Sequence, residues 1–368
     1  MFQLFVVSEA RIIDCTKDGK EIVNFARKEM RIPSPREQQL TTLVNALNVD
    51  HIARLLTTYH HDNVDQNNPT FNMIFPKATT NLERYMRDPA SGIDQIAFTS
   101  IFADRLWQQA AGIAYALNGI HTRDGEWAVH LDLKPENVLV DDESRSGQPR
   151  LMITDFGLAR LRDPRRHGSG VRYGGGDEAY APPERDGTRS YDIWSLACIL
   201  LEILTYWVER DPGLRRLDAA RGLDKGYHYA FWEEREGQPK IRQSIEKHMS
   251  ALMSSANRAG MLSERGVRFV VQMLKLIRWM FRINKDDRPR AELVHLFIQQ
   301  SMQDIWWSDR AEADGSTLAD NSIRRKPVAN RPTPPLVTPL PVTNRGTQFT
   351  EPRTGWEEPG RKIMRNLE

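Results

Sequence analysis

Apolar and polar positions divide the chain into three stretches. In residues 1–77, short apolar runs alternate with turn signals. Phe5 to Val7 and Ile22 to Ala26 read as strands around an Asp18–Gly19 turn. Pro33 and Pro35 then break the chain, and Leu40, Leu43, Val44 and Leu47 recur at the spacing of one helix face. His51 to Tyr59 fits the next strand. From 78 to 308 the pattern is mainly helical, with Phe98 to Leu117, 193–208, 241–257 and 264–282 as the clearest helices. Within this stretch, Val138 to Val140 and Leu151 to Ile153 flank a polar turn and predict a strand hairpin. Val208 to Pro239 is charged and irregular, which predicts long surface loops. The class is α+β, a small strand-rich part followed by a larger helical one. Beyond 309, clustered prolines (332, 334, 335, 339, 341) and few large apolar residues predict a disordered tail.

Composition narrows the setting. Hydrophobic residues make up 40% of 368, enough for a large core. The formal net charge is +2, from 51 basic and 49 acidic residues, and gives no reason to expect nucleic acid or a membrane surface as partner. Two cysteines, Cys15 and Cys198, cannot build a disulfide framework and indicate a reducing compartment. Met1 to Val7 lacks a basic leader and a cleavage site. The apolar run Ile193 to Val208 contains Ser195, Glu202 and Thr205, which predicts a buried core helix rather than a membrane span. The expectation is a soluble intracellular, cytoplasmic chain. The nucleus is not excluded, although Arg324 to Lys326 is too short to argue for import.

The chemistry concentrates in H-L-D-L-K-P-E-N, His130 to Asn137, followed twenty-three residues after Asp132 by D-F-G, Asp155 to Gly157. This order and spacing resemble the catalytic centre of eukaryotic-type serine/threonine protein kinases. The resemblance covers roughly residues 10 to 307, and its flavour is similar to fungal kinases. It implies a bilobal fold, with residues 1–77 as small lobe, 78–308 as large lobe and 309–368 as tail. It also implies ATP and Mg2+ as cofactors and protein hydroxyls as acceptors. Asp132 then orients the acceptor hydroxyl, and Lys134 offsets charge on the transferring phosphoryl group. Asn137 and Asp155 supply the oxygen ligands that magnesium prefers. Phe25 to Lys28 resembles the strand whose lysine, here Lys28, grips the phosphates. Ala26 and Leu139 sandwich the adenine. Ile74 falls at the gatekeeper position, and Phe75, Pro76 and Lys77 supply the hinge backbone, with Pro76 lacking an amide hydrogen where none is needed. Glu184, closing Y-A-P-P-E, pairs with Arg288. Asp192 bonds backbone amides of the catalytic loop.

Four departures accompany the resemblance. No glycine precedes Gly19, so the glycine-rich hairpin over the phosphates is missing. Either the chain is an N-terminally incomplete form of a longer product or the small lobe has degenerated. An ungapped count back from His51 puts Leu40 where Lys28's acidic partner belongs, while Glu37 lies almost one turn earlier. Leu131 replaces the arginine that receives an activation-segment phosphate, so that segment is expected to be constitutively ordered. Arg160, Arg162, Arg165 and Arg166 still make it basic. Ala197 replaces a common glycine. The resulting reading is a Ser/Thr protein kinase acting on protein substrates, and the alternative is a pseudokinase scaffold. Turnover distinguishes them. In the tail, Pro332 to Pro335 is a P-x-x-P that an SH3- or WW-type partner would fit, though a spacer explains it better.

Overall fold

The computed structural model describes residues 5–16, 19–30, 35–61, 70–88, 100–122, 127–141, 149–162, 175–222, 230–258 and 264–316. Residues 1–305 form one compact unit. A second unit, 306–368, is described only through the end of the last helix, at Ser316. The predicted tail from 317 onward with its P-x-x-P lies outside the described residues, as does 163–174, which includes Arg165 and Arg166 of the basic segment.

The small lobe is a four-stranded antiparallel sheet, ordered β1 (Phe5–Thr16), β2 (Gly19–Met30), β4 (Thr70–Pro76), β3 (Thr57–His61). The first two strands are longer than their apolar runs, pairing continuously from Phe5↔Met30 to Thr16↔Gly19. Successive side chains alternate between faces. Met30, Phe71 and Met73 therefore share a face and form an apolar cluster with Leu55, against which Phe75 packs. Helix α1 (Pro35–Asn45) opens on proline, which is tolerated in a first turn, and buries Leu40 and Val44. Residues 51–56 are not the predicted strand; they cross to the large lobe, where Ala53 N–H donates to Ile153 O at 2.8 Å. The strand begins only at Thr57.

The large lobe is built on helices. After β5 (Thr80–Asn81), α2 (Leu82–Arg87) is capped by the Asn81 side chain, which accepts from Arg84 N–H at 2.9 Å. Helix α3 (Ser100–His121) lies in the core beside α4 (Arg189–Arg221), which is buried all round from Tyr191 to Val208. That is the pattern of a helix with no solvent face, and the length and apolarity of α4 match its burial inside the fold. Trp107, Trp207 and Phe269 meet edge to face at centroid distances of 5.1 to 6.4 Å, joining α3 and α4 to α6 (Glu264–Met280). Helices α5 (Gln243–Asn257) and α7 (Ala291–Ser316) complete the set, and α7 runs across the composition change at 309. Short strands β6 (Trp127–Val129) with β9 (Arg160–Arg162), and β7 (Val138–Asp141) with β8 (Arg150–Ile153), carry the connecting loops.

Of the region read as loops, Val208 to Pro239, residues 223–229 lie outside the described residues, and the rest is more ordered than that. Helix α4 continues past a kink at Arg210 and ends at Arg221 on a left-handed Gly222. A hairpin follows, β10 (Trp232–Arg235) and β11 (Gln238–Ile241), turning through Glu236 and Gly237, both with positive φ.

Candidate active site

The predicted β7–β8 hairpin is present, with Val138 opposite Ile153. It holds Asn137 and Asp155 at the neighbouring ends of two paired strands. Both line a cleft of about 410 Å³ between the lobes, as do Ala26, Lys28, Phe75 and Leu139. Lys77 is exposed at its rim. Ile74, placed by sequence at the gatekeeper position, is not on the cleft. The register pairs Ala26 with Phe75 and Arg27 with Ile74, so Phe75 shares the cleft face and Ile74 points to the opposite one. The frame of the hinge is therefore one residue later, with Pro76, Lys77 and Ala78 along the cleft.

Lys28 lies beneath this opening. Its Nζ is 2.6 Å from Glu37 Oε1 and 2.8 Å from Asp155 Oδ1. Glu37 thus meets Lys28, and Leu40 does not. Leu40 faces an apolar crevice with Val44 and Ile120, because α1 starts at Pro35 and the residues after Asn45 leave the helix. Burial favours the neutral amine of Lys28, but Asp155 and Glu37 outweigh it and raise its pKa. Burial pushes the Glu37 carboxyl up against the pull of Lys28. Asp155 lies below the ordinary carboxylate range; burial opposes this, and the Lys28 ammonium overrides it.

The catalytic-loop backbone is fixed from below by a buried aspartate. Asp192 accepts from His130 N–H at 2.8 Å, from Leu131 N–H at 2.9 Å, and contacts His121 Nε2 at 2.8 Å. These bonds hold Leu131 at φ 67°, a left-handed conformation that costs a side-chain-bearing residue about 1–2 kcal/mol. The Leu131 side chain is buried with Val129, Ala181 and Tyr191. His130 Nδ1 accepts from Asp132 N–H, which leaves Nε2 to donate to Thr154 O at 2.9 Å. The His130 ring lies 5.1 Å from that of the buried Phe156.

Asp132 is oriented by two donors. Asp177 N–H reaches Oδ1 at 3.0 Å, and Asn137 Nδ2 reaches Oδ2 at 2.9 Å. Lys134 Nζ lies 3.9 Å from Asp132 Oδ1 and 3.4 Å from Asp177 Oδ2. Burial raises the Asp132 pKa, with Lys134 opposing.

The segment from Gly175 to Ser190 is anchored at several points. Arg288 grips Glu184 with two bonds of 2.6 and 2.8 Å, and its side chain is fully buried. Tyr180 donates to the buried Glu202 at 2.9 Å, as does Arg221. Ser195 Oγ donates to Tyr180 O, and Trp232 Nε1 to Ala181 O at 3.0 Å. Sequence reasoning missed Asp177, Arg221 and Trp232. Glu202 carried a signal, a carboxylate inside an otherwise apolar helix.

A family model described as protein kinase domain matches residues 10–306, most of the chain. The chain belongs to the protein kinase family. CBL-interacting protein kinase 20 of Oryza sativa subsp. japonica is 42% identical over 80 residues, 20% of this chain and 17% of the relative. Human mitogen-activated protein kinase 12 is 27% identical over 199 residues, 51% of this chain and 48% of the relative. Mouse 3-phosphoinositide-dependent protein kinase 1 is 29% identical over 143 residues, 37% and 23% of the two chains. The chain spans less than half the length of each of these relatives. Kinases of this family generally use ATP and Mg2+. The donor set fits both: Asp155 and Asn137 offer a carboxylate and an amide oxygen on the cleft wall, and Lys28 offers an ammonium.

Proposed function

We propose that this chain is an active serine/threonine protein kinase. The observation that carries the reading is the state of the catalytic loop. Asp132 is held by two hydrogen bonds with Lys134 beside it, while Lys28 is engaged with both Glu37 and Asp155. Such positioning supplies most of the catalysis in phosphoryl transfer. Asp132 accepts the proton of a Ser or Thr hydroxyl as its oxygen bonds to the γ-phosphorus. The bond from that phosphorus to the β–γ bridging oxygen breaks, and ADP leaves. Lys134 offsets charge on the transferring group, and Lys28 steadies the phosphates. Asp155 and Asn137 would hold magnesium, which would supply positive charge to offset that of the phosphates. Ala26, Phe75 and Leu139 give the cleft the apolar walls that a base requires, with the hinge backbone beside them. Lys134 two residues after the base favours the Ser/Thr acceptor class.

The test compares the purified chain with Asp132→Asn for transfer of labelled γ-phosphate to a generic Ser/Thr substrate. Magnesium-dependent label that disappears in the variant supports the proposal. Equal label in the two proteins, or none in either, sinks it and leaves the scaffold reading.

A further inference from the structure

A second cavity, of about 270 Å³, lies on the α1 side of the hinge. Pro76, Lys77, Ala78 and Leu139 line both it and the larger cleft, whereas Lys28, Asp132, Asn137 and Asp155 line no part of it. Its other walls come from the end of α1, the crossing at 48–54 and the β7–β8 hairpin. Val44, Ile52 and Met152 are buried and give it an apolar floor. Backbone hydrogen bonds hold the walls in place. Ala53 N–H donates to Ile153 O at 2.8 Å, Ile153 N–H to His51 O at 2.9 Å and Leu56 N–H to Ile74 O at 2.8 Å. A cavity framed in this way is pre-formed.

The charged groups on these walls differ in what they already hold. Arg150 Nη2 donates to Asp141 Oδ2 at 3.0 Å, so those two satisfy each other. Asp50 and Arg54 line the cavity at exposed positions, and their side chains make no hydrogen bond or ion pair with any described residue. An apolar floor with one uncommitted anion and one uncommitted cation complements a zwitterion with an apolar body. Size narrows the class: about 270 Å³ falls just under the ~300–1,000 Å³ of pockets for drug-sized ligands. We propose that this cavity binds a free apolar α-amino acid such as leucine, with its carboxylate on Arg54, its ammonium on Asp50 and its side chain over Val44, Ile52 and Met152. The site is independent of the kinase reading, and its occupancy is measured without turnover.

Isothermal titration of the full chain with L-leucine tests this. The expected Kd is below about 1 mM, well inside the per-atom bound on small-ligand affinity. Leucinamide lacks the carboxylate and 4-methylpentanoate lacks the ammonium, and each should bind about tenfold more weakly for the lost contact to a charged group. Arg54→Gln should erase the preference for leucine over leucinamide, and Asp50→Asn the preference over 4-methylpentanoate. Both positions are exposed, so neither variant disturbs the core. Val49, also on the cavity wall, allows a blocking variant. Val49→Trp should remove leucine binding and leave the Kd of a fluorescent ATP analogue within about twofold of wild type. If Val49→Trp does not fold, the Arg54 and Asp50 variants decide alone. No binding up to about 10 mM leucine, equal affinity for leucine and either analogue, or leucine binding that persists in folded Val49→Trp overturns the proposal.

Discussion

Replacing Arg288 with methionine tests a buried tether of the large lobe. The guanidinium uses both terminal nitrogens on Glu184, at 2.6 and 2.8 Å, and shares them with Ser190 O and Ile283 O. Its Nε donates to Arg282 O at 2.7 Å, and the group lies 4.9 Å from the centre of the Trp194 ring. Methionine replaces the aliphatic stem and leaves Glu184, 19% exposed at its side chain, without its bidentate partner, with only the longer-range pull of Lys285 remaining. Three carbonyls lose a donor as well. Breaking a buried pair on one side costs about 3–5 kcal/mol, well above the ~1 kcal/mol ceiling for an exposed pair. At roughly 2–4 °C per kcal/mol for a large domain, the melting temperature should fall by about 6–20 °C. Differential scanning calorimetry with parallel urea titration reads this directly. Pairing Arg288→Met with Glu184→Leu should recover part of the loss, because the stranded carboxylate is then gone. A single-variant cost under about 1 kcal/mol, or a double variant worse than the single, would refute the argument that a buried charge is stranded.

Three further outcomes follow from particular contacts. Gly112→Ala puts a methyl inside the His51 imidazole and forces it off Leu151 O, which now lies 2.8 Å from Nδ1. Overpacking of about 1–3 kcal/mol exceeds the ~1 kcal/mol that alanine gains in a helix, so thermal melting should show a less stable protein; a stabilised variant would count against the packing described. Burial, opposed by Arg221, pushes the Glu202 carboxyl up to about 7 from an ordinary value of 4.5. A raised folded pKa means stability is fully present below pH 4.5 and is lost as pH rises through 7, a change on the order of 3 kcal/mol. Urea midpoints should fall across that window in wild type and stay flatter in Glu202→Gln; identical slopes would contradict the assignment. Trp232→Phe keeps a six-membered aromatic ring but removes the pyrrole ring with its N–H to Ala181 O, for a loss of at least about 1 kcal/mol from the hydrogen bond. Hydrogen exchange by mass spectrometry should speed up over 177–184 and not over 150–157; equal change in both would mean the contact does not anchor this segment.

The catalytic loop was legible because its chemistry is tied to local spacing. Four residues separate Asp132 from Asn137, and one hairpin brings Asp155 beside them, so their proximity to one another follows from local structure. The Glu184–Arg288 pairing was legible only through family resemblance, since no local rule joins residues 104 apart. Ile74 was misplaced for a physical reason. Met73, Ile74 and Phe75 are consecutive apolar residues, so no alternation marks which faces the cleft, and only the register with β2 decides. Leu40 was a counting problem: the turn after Asn45 breaks the helical frame that an ungapped count assumes. The end of α4 was hidden by Pro212 and Gly213, although Leu214 and Leu217 continue its buried face. The β10–β11 hairpin carried a weak cue in Glu236–Gly237, whose positive φ values are a hairpin turn's requirement. Asp177 carried none; its role arises where the chain folds back on the loop.

Leu131 gives the platform an unusual kind of hold. Between Val129, Ala181 and Tyr191 it joins the catalytic loop to the Tyr180–Glu184 segment by excluding water, with no charged side chain in the cluster. Such a joint obeys the thermodynamics of burial. It should slacken on cooling and tighten in sulfate, where an ionic latch would loosen as salt screens it.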